Sequence, residues 1–144
     1  MIREILTAPI TNAQMFEELE FFIQHFRALG HVGCDLLFGF AWGNYYYPGN
    51  LWNEVRLPLA SLMAEVEKAG ALGCDGLGLN DLWLSVPSLP AKFLFCNDSD
   101  IHITFDEPGE VPEFFYQRWK SLGFRPAEWM KSDSGRCTER LREN

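Results

Sequence analysis

A period-two alternation of apolar and polar residues over residues 82–105 constrains the fold more than any other feature of the sequence. Successive side chains of a β-strand point to opposite faces of its sheet, so this alternation puts one apolar face against a core. Pro87 and Pro90 frame a turn within this segment. The apolar positions of the alternation are Leu82, Leu84, Val86, Phe93, Phe95, Ile101, Ile103 and Phe105. The segment therefore predicts an antiparallel meander that other elements must cover.

Three segments have helical patterns, and their apolar faces are expected to pack against the meander. The first runs from Asn12 to Leu29, with Thr11 or Asn12 as its cap and Gly30 as its stop. Its apolar residues recur at three- and four-residue spacing, which gives one broad face for burial against a sheet. A second helix is predicted from about Pro58 to Gly70, and a third from about Pro112 to Leu122.

The remaining regular element is a buried strand from Cys34 to Trp42, followed by a loop over residues 43–50. Together these patterns predict an α+β fold, with an antiparallel sheet of about four to five strands and about three helices packed on it. At 144 residues the chain has the size of one domain, which we assign to residues 1–130. Residues 131–144 are polar and aperiodic, and they predict a disordered C-terminal tail.

The charge distribution excludes one class of partner. Residues 1–130 hold 8 Lys and Arg against 17 Asp and Glu, and the whole chain has a net charge of −8. An acidic domain repels phosphate backbones, so a nucleic-acid ligand is not expected, whereas a basic protein surface would be attracted. The N-terminal residues show no signal-peptide pattern, and no apolar run is long enough to span a bilayer. These observations predict a cytoplasmic protein without a membrane partner.

Four cysteines are spread along the chain without a paired spacing: Cys34, Cys74, Cys96 and Cys137. A cytosolic chain of this size needs no disulfide staples, so all four are expected to be thiols. The first three lie among apolar neighbours and are expected to be small buried hydrophobic residues.

The most polar cluster of the sequence predicts a partner-binding surface formed by six residues: Asp98, Asp100, His102, Asp106, Glu107 and Glu110. They would crowd one edge of the sheet as a negative patch that receives lysines and arginines. A calcium loop counted from Asp98 would need glycine and glutamate where Ile103 and Gly109 stand, and zinc would need ligands from elsewhere in the chain. The simplest alternative is a solvated turn between two strands. We predict no metal and no cofactor.

A second candidate surface is the aromatic loop, where Tyr45, Tyr46 and Tyr47 are adjacent and Trp52 follows. Adjacent tyrosines in a loop cannot all face inward, and tyrosine and tryptophan are enriched at binding hot spots. These rings are therefore candidate anchors for a partner, and the alternative is that they cap one end of the core.

No enzyme motif is present. The sequence lacks a nucleophile elbow, a phosphate-binding loop with lysine, a His-Glu-x-x-His pair and a dinucleotide fingerprint, and Gly76-Leu77-Gly78 has no third glycine. We therefore predict a protein that is not an enzyme and has no catalytic residues.

The segment from Asp81 to Phe105, closed by the helix that contains residues 118–124, resembles the C-terminal half of bacterial immunity proteins encoded beside secreted antibacterial toxins. The resemblance implies a protein that binds and neutralises a cognate, basic toxin through an acidic and aromatic surface. Two other functions stay open from the residues themselves. One is a small metal-dependent hydrolase that uses His102 and its neighbouring carboxylates, and the other is a structural or adaptor module.

Overall fold

The computed structural model describes residues 2–72 and 76–143. Its eight strands are β1 Ile2–Leu6, β2 Gly33–Phe38, β3 Val55–Pro58, β4 Leu82–Ser85, β5 Ala91–Phe95, β6 Ile101–Phe105, β7 Ala127–Lys131 and β8 Cys137–Glu143. Its four α-helices are α1 Asn12–Ala28, α2 Phe40–Tyr46, α3 Leu62–Ala71 and α4 Glu110–Ser121. Short 3-10 turns lie at Pro48–Asn50 and Leu59–Ser61.

All eight strands form one antiparallel sheet in the order β3-β2-β4-β5-β6-β1-β7-β8. The predicted α+β class is confirmed. The predicted numbers of four to five strands and three helices were too low, because the meander β4-β5-β6 is extended on both sides. The N-terminal strand β1 lies inside the sheet, between β6 and β7, so residues 2–6 pair with residues 127–131.

The helices pack on one face of the sheet. The predicted alternation holds there, with Leu82, Leu84, Phe93, Ile101 and Ile103 buried. Phe93 contacts rings from two helices, with centroid distances of 4.9 Å to Phe22 of α1 and 5.0 Å to Phe115 of α4. Edge-to-face contacts of this kind add to the free energy of burying large apolar side chains.

Helix α1 begins and ends as its sequence predicts. The hydroxyl of Thr11 accepts a hydrogen bond from the Gln14 backbone N–H, and the Gln14 side chain accepts one from the Thr11 N–H. This reciprocal capping satisfies two N–H groups that have no partner within the helix. Gly30 follows the last turn with φ +92°, a conformation that glycine adopts without strain.

The strand predicted from Cys34 to Trp42 is shorter. Strand β2 ends at Phe38, and helix α2 covers the last part of the predicted strand and the first half of the segment predicted as a loop. Gly39 lies at this change of direction, and the site excludes a side chain, because a Cβ at this position would lie 2.7 Å from the Asp81 Cβ. Its N–H donates to the Asp81 carbonyl at 2.8 Å, which fixes the start of α2 beside the start of β4.

The sequence did not predict strands β1, β3, β7 and β8, because none of them shows a regular alternation of apolar and polar residues. Strands β1 and β7 place Glu4 and Glu128 at buried positions, where apolar residues are expected. Strand β3 has four residues, and β8 is mostly polar and lies at the edge of the sheet. Polar residues on edge strands protect against association with other chains. The structure thus places residues 137–143, predicted as part of a disordered tail, in strand β8 paired with β7.

Two further expectations concern cysteines and membranes. Cys34 and Cys96 are free thiols and buried, as predicted, whereas Cys137 is exposed. Cys74 lies outside the described residues. Among the described residues, no helix combines the length and the apolar character that a bilayer span requires.

Candidate functional site

The predicted acidic surface is divided between the two ends of strand β6. Asp98 and Asp100 precede the strand, whereas Asp106, Glu107 and Glu110 follow it. A strand of five residues separates its ends by roughly 17 Å. The single negative patch expected from the sequence is therefore not formed, because proximity along a strand does not bring side chains together at one edge.

The acidic loop is the group formed by Asp106, Glu107 and Glu110, and all three residues are exposed. It joins β6 to α4, and Glu110 is the first residue of that helix, where the helix dipole favours negative charge. No lysine, arginine or histidine of the described part of the chain forms an ion pair with these carboxylates. Their charge is therefore directed to solvent.

Two grooves meet at the acidic loop. The larger, of about 640 Å³, lies between α4 and strands β1, β7 and β8, and it includes Arg3, Glu128 and Arg142. The smaller, of about 520 Å³, lies between the acidic loop and Pro90. Pro108, Gly109, Glu110 and Pro112 line both. All three carboxylates of the acidic loop line the smaller groove, and Glu110 also lines the larger one.

Buried ion pairs hold the floor of the larger groove. The carboxylate of Glu128 accepts hydrogen bonds from Arg3 and from Arg142, the latter at 3.0 Å. Arg142 also donates to Glu113 at 2.6 Å, and this hydrogen bond holds the pKa of Glu113 below its usual range. These contacts connect β1, β7, β8 and α4, so the groove has fixed walls and both of its arginines are already paired.

At the other end of β6, His102 lies between two carboxylates. Its Nε2 is 2.9 Å from Asp100 Oδ1, and its Nδ1 is 3.3 Å from Glu4 Oε1. Glu4 is also bound by Lys131, whose Nζ is 2.7 Å from Oε2. Burial by itself would lower the pKa of His102, but the hydrogen bonds and negative charges of Asp100 and Glu4 raise it to about 9. Asp100 is therefore paired inside the protein, unlike exposed Asp98.

The sequence analysis missed Glu4 and Lys131 as neighbours of His102, because about a hundred residues separate Glu4 from His102. The pairing of β1 with β6 and β7 brings them together. The available signal was the pair of adjacent charged residues between two isoleucines in Ile2-Arg3-Glu4-Ile5. We name the group of Glu4, Asp100, His102 and Lys131 the ionic cluster, and it lies on the sheet face opposite the helices.

Cys96 adjoins the ionic cluster. Its thiol sulfur, an oxygen of Asp100 and a ring nitrogen of His102 all lie within 4.8 Å of one another. Burial raises the pKa of the Cys96 thiol to about 12, so in this environment the sulfur carries a proton at neutral pH. The sequence analysis expected Cys96 only as a small buried hydrophobic residue, whereas the hairpin turn brings its side chain beside Asp100 and His102.

The aromatic loop serves mainly as a cap on the core. Tyr47 is 6% exposed, and its hydroxyl accepts a hydrogen bond from the Phe38 N–H at 2.9 Å. The Tyr46 hydroxyl donates to Glu65 at 2.6 Å, and Trp52 is half-buried against Tyr47. Tyr45, with 61% exposure, is the tyrosine that remains available to a partner.

Two exposed apolar side chains near the aromatic loop were not predicted. Phe40 is 74% exposed and contacts Trp52 with a ring-centroid distance of 5.4 Å, and Leu51 is 69% exposed. The sequence pattern placed Phe40 inside a buried strand, and the early end of β2 instead turns it toward solvent.

Comparisons with models of known protein families, with curated protein sequences and with solved structures found no match to this chain.

Proposed function

We propose that this chain is an immunity-type protein that binds a basic toxin domain through its acidic loop. The observation that carries the proposal is the set of three exposed carboxylates that line the smaller groove and have no ion-pair partner in the described chain. Unpaired surface charge steers a partner of opposite sign toward a binding site. The prolines and the methylene groups that line the grooves supply apolar surface that such a partner would bury.

The location of this charge supports binding more than stability. Glu4, Glu18 and Glu128 are carboxylates that the fold uses internally, and each is buried with a cation beside it. The carboxylates of the acidic loop are instead exposed, and none of them forms an ion pair with a cation of the described chain. Asp98 and Asp100, predicted as part of the same surface, lie too far away to act with it, and Asp100 is neutralised by His102.

Tyr45 and Trp52, predicted as anchors, keep exposed surface, and they follow strand β2, which lies next to the β3 edge of the sheet. Phe40 is also exposed and contacts Trp52, so a large partner could bury these rings as a second apolar contact. Tyr46 and Tyr47 are used by the fold itself, which leaves them little area for a partner.

The test is co-expression of this chain with the product of the adjacent gene, followed by a binding measurement. In the test variant, Asp106, Glu107 and Glu110 are all changed to lysine. In the control, Glu17, Glu20 and Glu67, which are exposed on α1 and α3, are changed to lysine, so the net charge changes equally.

We expect the wild type and the control to bind the toxin and to protect cells that express it. We expect the acidic-loop variant to lose affinity by at least on the order of tenfold, mainly through slower association. Absence of a complex with the adjacent gene product would refute the proposed function. Equal affinity of the two variants would remove the acidic loop from it.

A further inference from the structure

The hairpin between β5 and β6 gathers three side chains with metal-binding atoms. Cys96 follows β5, Asp100 precedes β6 and His102 lies within β6. The Cys96 N–H donates to the Asp100 carbonyl at 2.8 Å, and the Ser99 N–H donates to the Cys96 carbonyl at 3.1 Å. Ser99 has φ +64°, the left-handed residue that closes a three-residue hairpin loop. The three donors are thus fixed by the backbone of one tight turn.

We propose that Cys96, Asp100 and His102 bind a divalent transition-metal ion of the zinc type. This inference is independent of the proposed toxin binding. Zinc in proteins is bound by cysteine sulfur at about 2.3 Å and by histidine nitrogen or carboxylate oxygen at about 2.0 to 2.2 Å, in tetrahedral geometry. Such bonds put neighbouring donor atoms roughly 3.3 to 3.7 Å apart.

The donors of this site need only small movements to reach that arrangement. They already lie within 4.8 Å of one another, and the pair formed by His102 Nε2 and Asp100 Oδ1 is at 2.9 Å. Opening that pair by less than 1 Å would admit an ion in place of the shared proton.

Glu4 supplies the outer support that metal-binding histidines usually have. A histidine ligand commonly donates its other ring N–H to a carboxylate, which fixes the ring and makes the ligating nitrogen more basic. The Nδ1 of His102 is 3.3 Å from Glu4 Oε1, and Lys131 holds the other oxygen of Glu4 at 2.7 Å. The ring is therefore oriented with Nε2 toward Asp100.

The donor set selects the metal. A thiolate with an imidazole favours zinc or cobalt over magnesium and calcium, which prefer oxygen ligands. Metal binding releases two protons to solvent, one from the Cys96 thiol and one from His102 Nε2, and the resulting thiolate and the Asp100 carboxylate carry two negative charges, which a divalent ion neutralises. Three protein ligands leave a fourth position for water. The side chains of Asp100 and His102 are 12% and 16% exposed, so the site is reachable from solvent.

Cobalt(II) alone is the probe for this site. The purified full-length chain, freed of metal with a chelator, is titrated with cobalt(II) and followed by absorption spectroscopy. We expect one equivalent to bind, with the intense visible bands of tetrahedral cobalt and a near-ultraviolet band from thiolate to cobalt. Zinc should displace the cobalt and abolish both.

Variants assign the ligands. Cys96→Ser should lose the thiolate band, and Glu4→Gln should keep it while affinity falls by about tenfold or more. The control combines Cys74→Ser with Cys137→Ser, which leaves Cys34 and Cys96, and it should behave as the wild type. Far-ultraviolet circular dichroism checks that each variant is folded.

The cobalt titration of the wild type tests the existence of the site independently of the variants. If the wild type shows no thiolate-to-cobalt band at one equivalent, the site does not exist. A band that disappears in the control, or that persists in a folded Cys96→Ser variant, would place the metal at another cysteine and overturn the assignment.

Discussion

Replacing Glu18 with leucine is expected to lower the free energy of unfolding by about 3 kcal/mol. The side chain of Glu18 is 3% exposed, and its carboxylate joins α1 to α4. It accepts hydrogen bonds from Arg118 at 2.6 and 3.3 Å and from the indole Nε1 of Trp119 at 3.0 Å. Leucine has a similar volume but accepts none of them.

The magnitude follows from the two donors that lose their acceptor. Trp119 is 1% exposed, and a buried N–H without a partner costs about 1 to 3 kcal/mol. Hydrogen bonds between charged groups contribute about 1.5 to 3 kcal/mol. The side chain of Arg118 is a quarter exposed and can turn toward water, so its share belongs at the lower end of that range. The guanidinium also keeps its contact with the Phe21 ring.

Equilibrium unfolding in urea, followed by tryptophan fluorescence and by circular dichroism, measures this loss. Glu17→Leu is the matched control, since Glu17 is the exposed neighbour on the same turn, and it should change stability by less than about 0.5 kcal/mol. Glu18→Gln keeps one oxygen for Trp119 and should give an intermediate loss. If Glu18→Leu is within about 1 kcal/mol of Glu17→Leu, the carboxylate does not join the helices as described.

Three further predictions concern other parts of the fold. Tyr47→Phe leaves the buried N–H of Phe38 without its acceptor and should cost about 1 to 3 kcal/mol in urea unfolding, whereas Tyr45→Phe should cost less than about 0.5 kcal/mol. Burial raises the pKa of Cys34 to about 12, above that of an unfolded thiol, so its contribution to stability is present below about pH 9 and is lost as the pH rises further. Cys34→Ala should therefore flatten the decline in unfolding free energy above that pH, and an unchanged decline would contradict the assigned pKa. Glu128→Gln weakens the contact between Arg142 and the sheet, so hydrogen exchange of β8 amides should accelerate more than that of β5 amides.

The elements that sequence analysis located share strong local patterns. Helix α1 carries its apolar face and its cap within eighteen residues, and β4 and β6 show the alternation of half-buried strands. Each of these patterns is complete within one segment, so it can be read without knowledge of the neighbours. Strand β8 has no such pattern, and its order depends on pairing with β7.

The candidate sites also include one feature that the sequence shows by itself and others that depend on the tertiary structure. The acidic character of the loop after β6 is visible in the sequence, because exposed turn residues need no partners. The position of His102 between Asp100 and Glu4 is not visible in the sequence. One of the two carboxylates, Glu4, belongs to β1, which is about a hundred residues away along the chain. The proposed metal site likewise depends on the direction in which the hairpin turns.

The sequence by itself determined the α+β class, the apolar faces and the sign of the surface charge, because these follow from residue type and spacing within short segments. The tertiary structure decided which carboxylates are paired and which remain free. Glu4, Asp100 and Asp106 are chemically similar, yet burial and nearby cations neutralise the first two. That difference arises from long-range strand pairing, which brings charges together across the sheet regardless of their separation along the chain.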